Sequence, residues 1–231
     1  MTAPVIPADL WLDLADLEEI DFAVDLMVEQ LAAGDPPLPA KPVRILDAQL
    51  VAGGAEQTMR PRDVRAATKF PVAGKPSIEL KPFPAVGQST EFLAEDLAAF
   101  RFAVRPVLAH EAAHVRQAVQ GGQAWIDKIT AADKASQEAL RSNTYQDYMN
   151  YLATPIEMAA HATQLAVEVL GVHGGGLDQV EFEKRCGQAW VWRHARDATR
   201  WTEGQQTRLP MFIPVATAWR LQAWWLYQRL T

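Results

Sequence analysis

From residue 90 onward, helix-period patterns of apolar residues follow one another with only short breaks at glycine and proline. Strand candidates are confined to residues 43–83, where an apolar run at 43–51 and an alternating run at 77–81 occur. Proline flanks the second run on both sides. Because proline donates no ladder hydrogen bond, we expect this strand at a sheet edge. The pattern predicts an α+β fold that is mostly α, with a small sheet followed by a helical bundle.

The composition is that of a globular chain that can bury a core without disulfides. The 231 residues are 49% apolar and 22% charged, and Cys186 is the only cysteine. One thiol excludes both an internal disulfide and a cysteine-rich zinc site. The sequence has no apolar run of the roughly 18–20 residues that a membrane span needs. Residues 1–10 contain no basic residue and no apolar stretch, so we expect no secretory leader. We therefore expect a cytoplasmic protein that does not bind membranes.

The net charge of −6 is unevenly distributed along the chain. Residues 1–35 hold nine acidic residues and no basic one, whereas the chain from Lys184 onward holds eight basic and two acidic residues. No basic run is interleaved with aromatic residues on one short element, so nucleic-acid binding is not expected. The acidic start and the basic end either attract each other within the fold or serve separate partners.

Breaks rich in proline and glycine divide the chain into three parts. Residues 1–35 form an acidic amphipathic helix or arm, residues 36–175 the central core, and residues 176–231 tryptophan-rich helices packed on that core. The last helix is apolar on most sides, which is typical of a helix buried in a core or against a partner. The acidic helix and the tryptophan-rich helix are therefore the candidate surfaces for a homo-oligomer or a protein partner.

The most specific pattern is the run His-Glu-Ala-Ala-His at residues 110–114. Two histidines four residues apart project from one face of a helix, one turn apart, so His110 and His114 can both reach a single Zn²⁺. Glu111 lies beside them, where it is placed to deprotonate a metal-bound water molecule. The competing interpretation is a pair of surface or core histidines on an ordinary helix.

This helix resembles the HExxH signature of the zincin metallopeptidases, and the resemblance extends over about residues 76–171. It implies a zincin-like core with an edge strand, the HExxH helix within the helical bundle, and a later helix that carries a third metal ligand. Residues 151–161 are similar to the Tyr…Pro-x-Glu-x-x-Ala stretch of small bacterial and phage HExxH proteins in the gluzincin-like group. The resemblance implies that Zn²⁺ is bound by His110, His114 and Glu157.

The third ligand has competing assignments. Glu157 stands three residues after Thr154, the spacing of a capping box, so its carboxylate could instead accept the Thr154 backbone N–H. The acidic residues of the polar, solvated helix at 125–141 are not expected to bind the metal. Asp147 remains as an alternative ligand, weaker than Glu157. His161 lies one turn after Glu157. It either hydrogen-bonds a metal ligand and fixes its orientation, or is itself the third ligand, or is a partly buried helix histidine.

The resemblance implies peptide-bond hydrolysis by metal-activated water, with Glu111 as general base. An electrophile must also stabilise the oxyanion, and Tyr148, Tyr151 and His173 are the candidates. A substrate peptide is expected to lie along residues 78–81 as an added strand. The expected function is a zinc-dependent peptidase acting on a peptide or protein substrate. The alternative is a non-catalytic assembly or binding protein, such as a phage-related one, built on a zincin scaffold.

Overall fold

In a computed structural model of the protein, most of the described residues are helical and four short strands form one sheet. The predicted α+β fold, mostly α, is thereby confirmed. The structure describes residues 6–35, 38, 43–52, 64–71, 75–81, 94–142, 144–196 and 205–231.

The helices range from two to eight turns, and the HExxH run lies in one of the longest. A 3₁₀ turn at Ala8–Leu10 precedes the first of them. Their bounds are α1 Leu14–Ala32, α2 Ala94–Gly121, α3 Gln123–Ser142, α4 Tyr145–Leu152, α5 Pro155–His173, α6 Gln179–Cys186, α7 Trp190–Arg196 and α8 Gln205–Leu230. Within the described part of the chain, no helix combines the length and the apolar character that crossing a membrane requires.

The sheet has the strand order β1-β2-β4-β3. β1 and β2 form an antiparallel hairpin, β2 runs parallel to β4, and β4 is antiparallel to β3. The strand bounds are β1 Val43–Ile45, β2 Ala48–Ala52, β3 Arg65–Lys69 and β4 Ser77–Lys81.

β4 lies in the interior of the sheet, so the prediction of an edge strand at residues 77–81 is wrong. It pairs with β2 on one side and with β3 on the other. The flanking prolines fall just outside the strand, and the Pro76 carbonyl even accepts a hydrogen bond from Gln49 N at 3.0 Å. A substrate peptide cannot add along residues 78–81, because both edges of β4 are already paired. Among the described strands, the sheet edges are β1 and β3.

Residues 43–51, predicted as one strand, contain a hairpin. Ile45 pairs with Ala48 across a two-residue turn that begins at Leu46. Leu46 has a positive φ of 53°, a conformation that glycine and asparagine adopt far more easily than leucine. The carboxylate of Glu19 in α1 accepts the Leu46 backbone N–H at 2.6 Å. The turn is therefore held by a contact from outside the hairpin.

The chain divides into two compact units. One unit is Leu12–Val119, which holds α1, the sheet and all but the last two residues of α2. The other unit comprises Met1–Trp11 and Gln120–Thr231, and it holds the remaining helices. The division at residues 35 and 175 stays a prediction.

Acidic residues of α1 pair with arginines of α2 in the Leu12–Val119 unit. Asp21 accepts two hydrogen bonds from Arg105, at 2.5 Å from Nε and 3.0 Å from Nη2. The Asp25 carboxylate lies 2.5 Å from the Arg101 guanidinium. The partners of these acids are thus arginines from the middle of the chain, on the helix that carries the HExxH run.

The start of α1 is joined to the same helix. Asp13 is the N-cap and forms a reciprocal capping box with Asp16. Arg116 donates to both carboxylates, at 2.7 Å to Asp13 and 2.5 Å to Asp16. Burial raises the pKa of Asp16, while the backbone N–H of Asp13 and the Arg116 guanidinium oppose that rise. Helix capping and the ion pair therefore use the same buried carboxylate.

In the other unit, α5 is a deeply buried helix and packs along α8. Trp219 of α8 is fully buried, and its ring stacks on His161 of α5 with centroids 4.6 Å apart. Trp224 packs against Phe182 of α6 at 5.3 Å. These tryptophans of the last helix are therefore core or core-lining residues of this unit.

Glu168 of α5 caps α7 from a distance in sequence. One of its carboxylate oxygens accepts the Trp190 backbone N–H, and the other accepts the Val191 backbone N–H at 3.2 Å. The side chain is buried, with 4% exposure of the residue. Since the first N–H groups of a helix have no partner within it, Glu168 supplies the acceptors that α7 lacks.

We predict that Glu168→Ala lowers the free energy of unfolding by about 2–4 kcal/mol, because one buried and one partly buried N–H group lose their acceptor. Urea unfolding followed by circular dichroism measures the change. Glu138→Ala is the control, since that side chain is 63% exposed and should change stability by less than about 0.5 kcal/mol. Equal, small losses in both variants would contradict the capping role.

The same carboxyl group makes stability depend on pH. Desolvation by burial raises the pKa of Glu168 above its ordinary value of 4.5, although the Trp190 and Val191 N–H groups partly oppose it. The folded state then binds this proton more tightly than the unfolded chain. Stability therefore falls as the pH rises from 4.5 through the raised pKa of the folded state. Glu168→Gln cannot titrate. Its unfolding free energy should therefore vary less steeply with pH upward from 4.5 than that of the wild type.

Candidate metal centre

α2 presents functional side chains on separate faces. Successive residues of an α-helix are rotated by about 100°, so the arginines that bind α1 share one face, and Glu111 lies on another toward β3. His110 and His114 lie on a third face, and Gln117 follows them there. The adjacent histidine and glutamate of the HExxH run therefore have different surroundings.

The two histidines of α2 lie side by side, as their spacing predicts. Their rings meet edge to face with centroids 5.0 Å apart. A ring nitrogen of His110 and one of His114 lie within 4.8 Å of each other. Two Zn–N bonds of about 2 Å nearly span that distance, so a small change in side-chain torsion brings both onto one ion. His114 is buried and His110 is partly buried.

Glu111 is held by a residue of the sheet. Its Oε2 accepts the backbone N–H of Thr68 in β3 at 2.7 Å and the Thr68 hydroxyl at 2.8 Å. The same hydroxyl lies 3.1 Å from the Glu111 backbone carbonyl. Glu111 Oε1 accepts no hydrogen bond from the described residues. The carboxylate is thus fixed through one oxygen and has the other available.

Gln117 is the neighbour of His114 on the same face. Its Oε1 lies 3.4 Å from His114 Nδ1. The residue is fully buried, and its amide nitrogen has no hydrogen-bond partner among the described residues. A carbonyl oxygen beside Nδ1 favours the tautomer that carries the proton there, which leaves Nε2 as the lone-pair nitrogen.

Glu157 lies in the first turn of α5 and is 4% exposed. The N-cap of this helix is Thr154, whose side chain accepts the Glu157 backbone N–H at 3.5 Å. The backbone N–H of Thr154 itself donates to the Tyr151 carbonyl at 3.0 Å. This N–H therefore does not need the Glu157 carboxylate as an acceptor, in contrast to the reciprocal box at the start of α1.

His161 contacts Glu157 from one turn further along α5. Its Nε2 lies 3.7 Å from Glu157 Oε2, and its side chain is 16% exposed. The ring of Trp219 stacks on the His161 ring. The contact with Glu157 is expected of a histidine that orients this carboxylate. It is equally compatible with His161 as a metal ligand. The choice among these two roles and that of a partly buried helix histidine stays open.

The weaker alternative ligand, Asp147, serves as a helix-capping partner. Its carboxylate accepts the Thr144 hydroxyl at 2.7 Å, and its backbone N–H donates to that hydroxyl at 3.2 Å, at the start of α4. Tyr148 and Tyr151 follow on α4 with ring centroids 6.4 Å apart. Both are partly buried, so their hydroxyls stay candidates for the oxyanion donor.

His173 lies far from Glu157. It is the last residue of α5, sixteen positions after Glu157 on a continuous helix, which corresponds to about 24 Å along the axis. Desolvation and the nearby Arg185 lower its pKa. The expectation that His173 stabilises an oxyanion at a metal held by Glu157 is therefore not supported, because the helix separates the two residues.

The single cysteine has no role in such a site. Cys186 is buried, and this burial raises the pKa of its thiol to about 12. A thiol with that pKa is not a nucleophile or a metal ligand at neutral pH. The candidate chemistry of the chain thus rests on imidazole and carboxylate groups.

Sequence reasoning missed two residues of the site. Gln117 follows His114 by three positions, so helix periodicity alone places it on the histidine face, and the extended pattern HExxHxxQ could have identified it. Thr68 is 43 positions before Glu111, in a five-residue strand with no motif. Only the folded arrangement of β3 against α2 identifies it.

No known protein family, curated protein or solved structure shows significant similarity to the chain.

Proposed function

We propose that the protein is a zinc-dependent peptidase that hydrolyses peptide bonds, with Glu111 as the general base. The observation that carries the proposal is the arrangement of α2. Two histidine rings 5.0 Å apart share one helix face, and the adjacent carboxylate is held by Thr68 with one oxygen available. Metal ligands and a fixed base on one helix are what this reaction needs.

The donor set fits zinc. We propose His110, His114 and Glu157 as ligands, a two-histidine, one-carboxylate set of the kind that leaves one coordination position for water. Gln117 Oε1 beside His114 Nδ1 supports the tautomer in which Nε2 binds the metal. Glu157 is a deeply buried carboxylate, and a bound cation stabilises such a group. His161, 3.7 Å from Glu157 Oε2, would orient it.

Zinc, when bound, supplies a Lewis acid that lowers the pKa of water and polarises the substrate carbonyl. The residues of the chain then move the protons. Glu111 Oε1 accepts a proton from the attacking water and passes it to the leaving amine as the C–N bond breaks. The products are a carboxylic acid and an amine. Tyr148 or Tyr151 would donate a hydrogen bond to the oxyanion.

The proposed substrate is a peptide or protein, and the proposed location is the cytoplasm. A non-catalytic assembly or binding protein is the second candidate function, and exposed apolar side chains on α1 favour it. Leu14 is 53% exposed and Phe22 is 67% exposed, on a helix that otherwise presents acids. The two functions differ in whether hydrolysis depends on Glu111.

The proposed ligands determine how much zinc the protein binds. After incubation with Zn²⁺ and gel filtration, plasma emission spectrometry should find one zinc per chain in the wild type. The double variant His110→Ala, His114→Ala should retain less than a tenth of it, because two ligands are gone. His173→Ala is the matched control and should retain all of it. Stoichiometric zinc in the double variant would exclude this ligand set.

Glu111→Gln should retain the zinc and lose turnover. Removing the general base is expected to lower kcat by at least about 100-fold, measured with fluorescein-labelled casein as probe. Glu95→Gln, an exposed glutamate near the start of α2, is the control and should leave kcat unchanged. Equal hydrolysis by Glu111→Gln and wild type would refute the mechanism, and a wild type without zinc-dependent hydrolysis would favour the binding function.

Gln117 should affect metal affinity more than turnover. Gln117→Leu removes the acceptor at His114 Nδ1 and is expected to weaken zinc binding by about 10- to 100-fold. Gln117→Glu keeps an acceptor and should bind at least as tightly as the wild type. Competition with a chromogenic chelator measures both affinities. Unchanged affinity in Gln117→Leu would show that the contact does not set the tautomer.

A further inference from the structure

Thr68 gives Glu111 two hydrogen bonds that meet at one atom. The Thr68 N–H and hydroxyl both donate to Oε2, at 2.7 and 2.8 Å. A hydroxyl has a single hydrogen, and the distance to Oε2 is shorter than the 3.1 Å to the Glu111 carbonyl. The arrangement therefore directs both donors to the side chain and leaves Oε1 without a partner among the described residues.

The strand register makes this contact possible without loss of sheet hydrogen bonds. Thr68 lies opposite Ile78 in the antiparallel pair of β3 and β4. In such a ladder alternate residues direct their N–H groups to the partner strand, and the Thr68 N–H is directed to Glu111 instead. Among the described strands β3 lies at an edge of the sheet, so this N–H has no described strand on that side to bind.

A carboxylate held at one oxygen has a defined direction at the other. Glutamate has three side-chain torsions, and an unrestrained carboxylate must lose that freedom before it can accept a proton in a fixed geometry. The two donors of Thr68 remove this freedom in the folded state. A misplacement of about 1 Å at such a group costs about 100-fold in rate.

We propose that Thr68 is the positioning residue of the general base, because it holds Glu111 Oε2 so that Oε1 faces the attacking water. This inference rests on the proposed function and deepens it. Thr68 does not touch the metal or the substrate. Its loss should therefore lower kcat and leave KM and zinc affinity unchanged.

The test compares zinc-loaded full-length variants with fluorescein-labelled casein as probe. Thr68→Val keeps the shape and the backbone N–H but removes the hydroxyl, and we expect kcat to fall by about 10- to 100-fold. Thr68→Ser restores the hydroxyl and should recover most of the rate. Thr163→Val is the matched control, because it removes a buried hydroxyl that donates within α5 to the Ala159 carbonyl.

A second measurement tests the contact without turnover. Hydrogen exchange of the Thr68 amide, followed by NMR, should be slow in the wild type and faster in Glu111→Ala, since this N–H faces away from β4. An unchanged exchange rate overturns the inference, and so does wild-type kcat in Thr68→Val. A wild type without any zinc-dependent hydrolysis overturns the proposed function together with this inference. An active wild type beside an equally active Thr68→Val overturns the inference alone.

Discussion

The ion pairs between α1 and α2 determine which way every other side chain of α2 faces. Arg105 binds both oxygens of Asp21, and a two-point contact of this kind has a narrow range of angles. Arg116, three turns later, binds both Asp13 and Asp16. Two such attachments on one face fix the rotation of a rigid helix about its axis. His110 and His114 then lie on a different face by helix geometry alone.

The Glu111–Thr68 contact attaches α2 to a second element, the sheet. The sheet in turn is joined to α1, because Glu19 accepts the Leu46 N–H at the hairpin turn. α1, α2 and the sheet are thus linked pairwise by charged side chains. An acidic α1 is what this arrangement needs, since its carboxylates serve arginines on one neighbour and a backbone N–H on the other.

The sequence allowed the helices and the HExxH face to be predicted because both depend on local spacing. His110 and His114 are neighbours in any helix, and Thr154 before Pro155 is a helix start in almost any context. The misses depend on contacts between distant residues. Leucine is not a turn former, and Asp47 alone beside it is too weak a signal to place a turn at Leu46. The prolines beside β4 do not restrict the residues between them, so they could not decide whether that strand is central.

Two buried glutamates show how hydrogen-bond geometry separates a structural carboxylate from one suited to chemistry. Glu168 uses both oxygens, one on Trp190 and one on Val191, to complete a helix end. Glu111 receives two donors as well, but both come from Thr68 and both meet Oε2. A carboxylate that accepts one backbone N–H at each oxygen is held at both for helix capping, whereas one held at a single oxygen is oriented and keeps its other oxygen open to a further donor. Burial alone does not distinguish these residues, since both are nearly inaccessible. The distribution of donors between the two oxygens does.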